Sequence, residues 1–290
     1  MSGIYASPEG ARAVERRYRE FLGRWPVPSE HLRVPTGQGE TFVVACGPAG
    51  APPLLLLHGS GTNSAMWLGD VARWAQHFRI YTVDLIGEPG LSAPSRPPLS
   101  SGAYADWLDE VLAGLGLERV SIAGVSLGGW MALDFATRWP DRVERLVLTC
   151  PSGIGHQRWL PVLGAAALML LGGARGRRRA MHLILGPASP SAPEAAPMAG
   201  EFAEYALLIH KTFRPRRGKL PIFPDAALRR LTMPLLVIAG GRDRLLDSYD
   251  TRRRLARTVP GADVRLLAEA GHLLPAHTQE ITDFLEATHA

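Results

Sequence analysis

The sequence predicts an α/β fold: a mostly parallel central sheet with helices on both faces, interrupted once by an inserted helical cap. Three observations carry that expectation. Short apolar runs recur at 54–57, 80–83, 120–123, 146–148, 235–238 and 264–267, and helix-like stretches separate most of them, as in a sheet covered on both sides. The rhythm stops between Pro151 and Arg230, too long an interval for a plain loop, and then resumes. Before that interruption, Gly124-Val125-Ser126-Leu127-Gly128-Gly129 joins one apolar run directly to the helix-like Trp130-Met131-Ala132-Leu133. The expected division is a core made of residues 1–150 and 231–290, with 151–230 as the cap.

In chain order, residues 8–25 carry Val14, Tyr18, Phe21, Leu22 and Trp25 at helical spacing among Arg and Glu, so an amphipathic helix precedes the sheet and packs its stripe on the core. Residues 31–35 and 41–46 flank Thr36-Gly37-Gln38-Gly39-Glu40, an opening antiparallel hairpin. Inside the cap, 160–171 is nearly all apolar but too short to span a bilayer, and Arg175-Gly176-Arg177-Arg178-Arg179 follows. A cap helix with a solvated charged end accounts for this better than a lipid-facing surface does. Residues 186–200, rich in Pro, Ala and Ser, read as a mobile connection.

Composition narrows the function classes. The chain has 290 residues, 46% apolar, and a net charge of +5. Residues 151–230 hold 12 basic against 4 acidic side chains, while the flanking parts are slightly acidic; arginines number thirty and lysines two. A basic excess confined to one segment, without interleaved aromatics, does not read as a nucleic-acid surface. Stable membrane insertion and a secretory leader are not expected either, which makes the cytoplasm the expected location; a monomer or homodimer is the expected state. Cys46 and Cys150 have no metal-ligand spacing and are expected to be buried thiols rather than a disulfide, a metal site or a second nucleophile.

The chemistry is concentrated at strand ends. A serine at a sharp strand-to-helix turn exposes its hydroxyl above the sheet, and the next residue's N–H, at a helix N-terminus, faces any negative charge that forms on an attacked carbonyl. Ser126 and Leu127 fit those positions. A serine hydroxyl needs a histidine to take its proton, and the histidine needs a carboxylate to orient it. Asp243 follows the run 235–238 and His272 follows 264–267, so both emerge on the rim that carries Ser126. Asp247 and Asp250 fall where the next helix should begin, and His277 lies in or beside the final helix. His58-Gly59-Ser60-Gly61, after 54–57, supplies the Ser60 N–H as a second oxyanion donor, with His58 bracing the loop. Asp84, after 80–83, is read as turn-forming, because Ser126 already holds the nucleophile position.

These residues in this order resemble the α/β-hydrolase superfamily over nearly the whole chain, most closely its bacterial carboxylesterase branch. Trp25-Pro26-Val27-Pro28, the segment 84–92, Phe223-Pro224-Asp225 and Ala270-Gly271-His272 extend the likeness. The resemblance implies an α/β-hydrolase fold with Ser126 as nucleophile, His272 as base, Asp243 as acid, and Leu127 and Ser60 as oxyanion donors. It also implies a small-molecule ester substrate and no metal or organic cofactor. His-Gly-Ser-Gly also begins this loop in C–C bond hydrolases of vinylogous diketones, but those usually carry tryptophan after the histidine, where Leu273 stands. A non-catalytic small-molecule receptor on the same scaffold is the remaining alternative.

Overall fold

The computed structural model describes residues 3–158, 196–216 and 218–287, with isolated positions between 164 and 180. Eight strands make one sheet: β1 (Ser29–Val34), β2 (Thr41–Cys46), β3 (Pro53–Leu57), β4 (Arg79–Val83), β5 (Val120–Val125), β6 (Val143–Thr149), β7 (Leu235–Gly240) and β8 (Asp263–Leu267). Their order is β1-β2-β4-β3-β5-β6-β7-β8, antiparallel through β1, β2 and β4 and parallel from β4 to β8. All six apolar runs are therefore strands, and the opening hairpin forms as expected.

Alternation along β3 shows why its run is continuous rather than amphipathic. Leu55 and Leu57 pack on one face, against α3 (Ala103–Gly114) and α4 (Leu127–Arg138). Leu54 and Leu56 pack on the other, against Trp74 of α2 (Val71–Trp74) and Ile281 of α8 (Thr278–Glu286). All four leucines are fully buried, and burial of each contributes about 1.5–3 kcal/mol. Only a strand covered on both faces can use four consecutive leucines this way.

Helix α1 (Pro8–Leu22) starts at Ser7, whose hydroxyl accepts the Gly10 N–H at 3.1 Å. Its stripe of Val14, Tyr18, Phe21 and Leu22 is buried, against Phe42 and Val44 of β2 and against Tyr205 and Ile209 of α5 (Ala196–Thr212). Because α5 opens at Ala196, the last five residues of the stretch read as a mobile connection are helical, while 186–195 lie outside the described residues. Pro197 did not prevent this: the first turn of a helix leaves its N–H groups unpaired, so the donor proline lacks is not needed there. Most of the apolar run 160–171 and part of the basic run 175–179 also lie outside the described residues. Among the described residues no helix is long and apolar enough to cross a membrane. Two further helices follow, α6 (Asp225–Leu228) and α7 (Ser248–Thr258).

The strand order reverses at β3: the chain passes from β3 to β4 on one side, then crosses to β5 on the other. A sheet of this kind opens a crevice at the carboxyl ends of the strands where the order reverses. The loop after β3 and the turn after β5 meet there.

Candidate active site

Ser126 sits between β5 and α4 with φ 52° and ψ −104°, a sparsely populated positive-φ conformation that costs a non-glycine residue of order 1–3 kcal/mol. Close packing holds it there. A Cβ on Gly128 would lie 2.2 Å from the Leu57 carbonyl oxygen, so only glycine lets α4 start this close to β3. The Ser126 N–H donates to the Thr149 carbonyl at 3.0 Å, and its own carbonyl accepts the Trp130 and Ser152 N–H groups at 3.0 and 3.3 Å. The backbone is thus pinned on both sides while the residue remains partly exposed. Leu127 opens α4, so its N–H is one of the four that a helix leaves without an internal partner.

Asp243 and His272 come together because the loops after β7 and β8 are zipped. Gly241 N–H donates to the Leu267 carbonyl at 2.8 Å and Arg242 N–H to that of Ala270 at 2.9 Å. A Cβ on Gly240 would fall 2.0 Å from the Gly271 carbonyl oxygen, so the loops touch only because that side chain is absent. Asp243, 1% exposed, accepts the Leu245 and Leu246 N–H groups on Oδ1 at 2.7 and 3.0 Å. Its Oδ2 accepts from His272 Nδ1 at 2.7 Å. With that proton on Nδ1, His272 Nε2 accepts from Ser126 Oγ at 3.1 Å. Three side chains expected from strand-end position alone therefore form one continuous hydrogen-bonded line.

Their rivals are elsewhere. Asp247 caps α7, accepting the Asp250 N–H at 2.9 Å; Asp250 bonds His156 at 2.6 Å; His277 precedes α8 and bonds Glu280 at 2.7 Å. Asp84 is fully buried and takes the Tyr18 hydroxyl, the Ser64 N–H and hydroxyl, and the Leu91 N–H, the turn-forming part expected of it.

The loop after β3 lies against the serine: a Cβ on Gly59 would be 3.9 Å from Ser126 Cβ. His58, fully buried, donates from Nδ1 to the Gly59 carbonyl at 2.7 Å and accepts the Leu85 N–H on Nε2 at 2.9 Å. Burial pushes its pKa below the ordinary histidine value, only partly offset by Asp84, so a neutral ring braces the loop. Ser60 itself is exposed.

A profile of the alpha/beta hydrolase family matches residues 54–286. The chain belongs to the alpha/beta hydrolase family. Among this hydrolase's relatives is the carboxylesterase YbfK of Bacillus subtilis (strain 168), 33% identical over 95% of this chain and 93% of that one. The uncharacterized carboxylesterase nap of the same strain is 30% identical over 89% of this chain and 85% of the relative. The crystal structure of carboxylesterase CesB (YbfK) from B. subtilis superposes with a TM-score of 0.81 at 30% identity, over 96% of this chain and 99% of that one. The naproxen esterase of B. subtilis does so at 0.82 and 26%, over 97% and 99%.

Two features of the hydrolase's site go beyond the sequence reading, which assigns Cys150 only as a buried thiol and gives Glu88 no role. Cys150, buried at the end of β6 with φ 44°, lies beside the acid: its sulfur and one ligand atom each of Asp243 and His272 are within 4.8 Å of one another. Burial, then the Asp243 charge, pushes its thiol up to about 12. These are the only three such donors grouped closely enough to hold a metal among the described residues, but Asp243 and His272 already spend facing atoms on each other. The second feature is Glu88, fully buried in the turn after β4, whose Oε2 accepts the Gly61 N–H at 2.7 Å and the Ser60 hydroxyl at 3.1 Å.

Proposed function

We propose that this hydrolase cleaves carboxylic esters through an acyl-enzyme, with Ser126 as nucleophile, His272 as general base and then acid, and Asp243 as the carboxylate that orients the imidazole. By kinship the chain is a carboxylesterase-type enzyme. The observation that carries the mechanism is the unbroken relay from Asp243 Oδ2 through His272 to Ser126 Oγ, at 2.7 and 3.1 Å. His272 Nε2 takes the hydroxyl proton as Oγ attacks the ester carbonyl, and it returns that proton to the departing alcohol. A water activated by the same nitrogen then attacks the acyl-enzyme, releasing the acid and restoring the serine. The oxygen that becomes negative in each step is stabilised by the Leu127 and Ser60 N–H groups, and losing one such donor generally costs 10²–10³ in turnover. The cycle consumes only water and calls on no metal or organic cofactor. Every residue in it belongs to one chain, so a monomer or a homodimer suffices.

Residues 151–230 act in this reading as the cap that selects the ester. A cleft of about 160 Å³ supports it, lined by Ser152, Gln157, Arg158, Leu220, Leu245 and Leu246. Ser152 donates to the Ser126 carbonyl, and Leu245 and Leu246 donate to Asp243, so the cleft adjoins the relay. Its three leucines suit short-to-medium acyl groups, each buried methylene contributing about 0.8 kcal/mol. The test is a series of p-nitrophenyl esters from about two to ten acyl carbons, set against the expected 0.8 kcal/mol per methylene and run beside a vinylogous diketone. A nitrophenol burst followed by steady turnover, with an optimum inside the series, is the expected result. Release no faster than from the Ser126→Ala variant defeats the esterase reading in favour of a receptor, and preferential cleavage of the diketone transfers it to C–C hydrolysis.

A further inference from the structure

We infer that Glu88 is a positioning residue for the oxyanion loop, and that Arg216, arriving from the segment after α5, is the counter-charge that keeps it able to do so. The inference rests on the proposed roles of Ser126 and Ser60. It begins from a placement that is costly unless used. A carboxylate fully removed from water must be hydrogen-bonded and charge-compensated, and Glu88 spends its one well-bonded oxygen on two consecutive residues of the loop beside Ser126, Ser60 and Gly61. Gly61 has φ 70°, so the loop turns sharply at the point where the carboxylate holds it.

The compensation comes from the far side of the chain. Glu88 Oε1 has no hydrogen-bond partner among the described residues and faces Arg216 Nε at 3.8 Å. The Arg216 side chain is 13% exposed, lies over the Tyr104 ring at 5.0 Å, and leaves Nε and Nη2 without hydrogen-bond partners among the described residues. Charge, rather than a directed hydrogen bond, therefore holds this pair. Arg96 reinforces it by linking the same two segments, donating from Nε to the Gly87 carbonyl at 2.9 Å and from Nη2 to the Arg214 carbonyl at 2.8 Å. Burial pushes the Glu88 pKa up, and the Gly61 N–H, Arg216 and Arg96 push it back. Without Arg216 the balance tips toward the neutral acid, a weaker acceptor for the two loop groups. Seating of the segment after α5 and the geometry of the oxyanion hole are thereby joined through one buried ion pair.

The experiment compares Glu88→Ala, Glu88→Gln, Arg216→Met and the double variant Glu88→Gln/Arg216→Met with the unmodified chain. The readouts are kcat and KM on a p-nitrophenyl ester, the inhibition constant of a trifluoromethyl ketone whose hemiketal oxygen would occupy the oxyanion hole, and the thermal midpoint. Displacing a donor without deleting it is expected to lower kcat in Glu88→Ala by about 10–100-fold, with the ketone weakened in parallel and KM nearly unchanged. Glu88→Gln keeps a carbonyl acceptor and should lose less. Arg216→Met should lose kcat, and the double variant, with both charges gone and an acceptor retained, should recover part of it. A folded Glu88→Ala with unchanged kcat and ketone affinity overturns the inference, as does a change in KM alone. If Glu88→Ala does not fold, the Arg216→Met and double variants decide, and equality of both with the unmodified chain overturns it. Ser126→Ala, assayed alongside, separates the two levels: turnover in that variant defeats the underlying mechanism, whereas its loss with unaffected Glu88 variants defeats only the role of Glu88.

Discussion

Asp84 and Asp243 occupy equivalent places and have different work. Each lies in the loop that follows a strand of the sheet, each is buried, and each accepts backbone N–H groups. Asp84 spends both oxygens on four donors, one of them the Tyr18 hydroxyl of α1 at 2.8 Å. Asp243 concentrates its two backbone donors on Oδ1 and gives Oδ2 to an imidazole. A buried strand-end carboxylate is thus not a mark of catalysis by itself. The mark is an oxygen left for a group that can carry a proton.

That contrast can be broken experimentally, beginning where the largest effect is expected. Ser126→Ala should lower kcat by about 10⁶, as loss of the nucleophile does in triads generally, with the thermal midpoint retained. Asp243→Asn, which can present its amide to the wrong tautomer of His272, should cost about 10⁴ in kcat and little stability. Asp84→Asn should do the reverse, because a charged acceptor serving four donors is lost: stability falls by about 3 kcal/mol, while turnover per folded molecule, found by active-site titration, stays within a few-fold. If Asp84→Asn instead abolished turnover in a well-folded protein, the division between the two acids would fail. Tyr18→Phe sharpens the same point on a smaller scale, removing one charge-assisted bond worth about 1.5–3 kcal/mol, measured by denaturant unfolding.

Cys150 gives the smallest expected effect. Burial and the neighbouring carboxylate hold its thiol up to about 12, so the thiolate is scarce at pH 8 and becomes available only as the pH rises toward that value. Iodoacetamide at pH 8 should accordingly leave the folded enzyme active and unlabelled at Cys150 by mass spectrometry, with labelling appearing on unfolding. Rapid inactivation by a single label there would contradict the assignment of this thiol to the structure rather than the chemistry.

What the sequence made legible follows the same line. Four consecutive leucines before a histidine-glycine loop, a serine between close-packed glycines, and an acid and a histidine after two successive strands are each set within a few residues, so local pattern located them. Features made by distant partners were not legible. Nothing near Glu88 announces that it meets Arg216, nothing near Asp84 announces Tyr18, 66 positions away, and Cys150 approaches Asp243 only after β6 and β7 have paired. The start of α5 was missed for a different reason: proline and alanine in a first helical turn look the same in sequence as proline and alanine in a linker.

The antiparallel extension at one side of the sheet bears on how the protein can be handled. The family match begins at residue 54, yet β2 pairs with β4 from Val43–Val83 to Cys46–Ile80. A shortened chain starting at that match would leave β4 as a bare edge of unpaired peptide groups, open to pairing with another molecule, and would remove one of the four donors that satisfy Asp84. Gene fragments drawn to the boundaries of the match should therefore yield aggregates, while those retaining the first helix and hairpin yield enzyme.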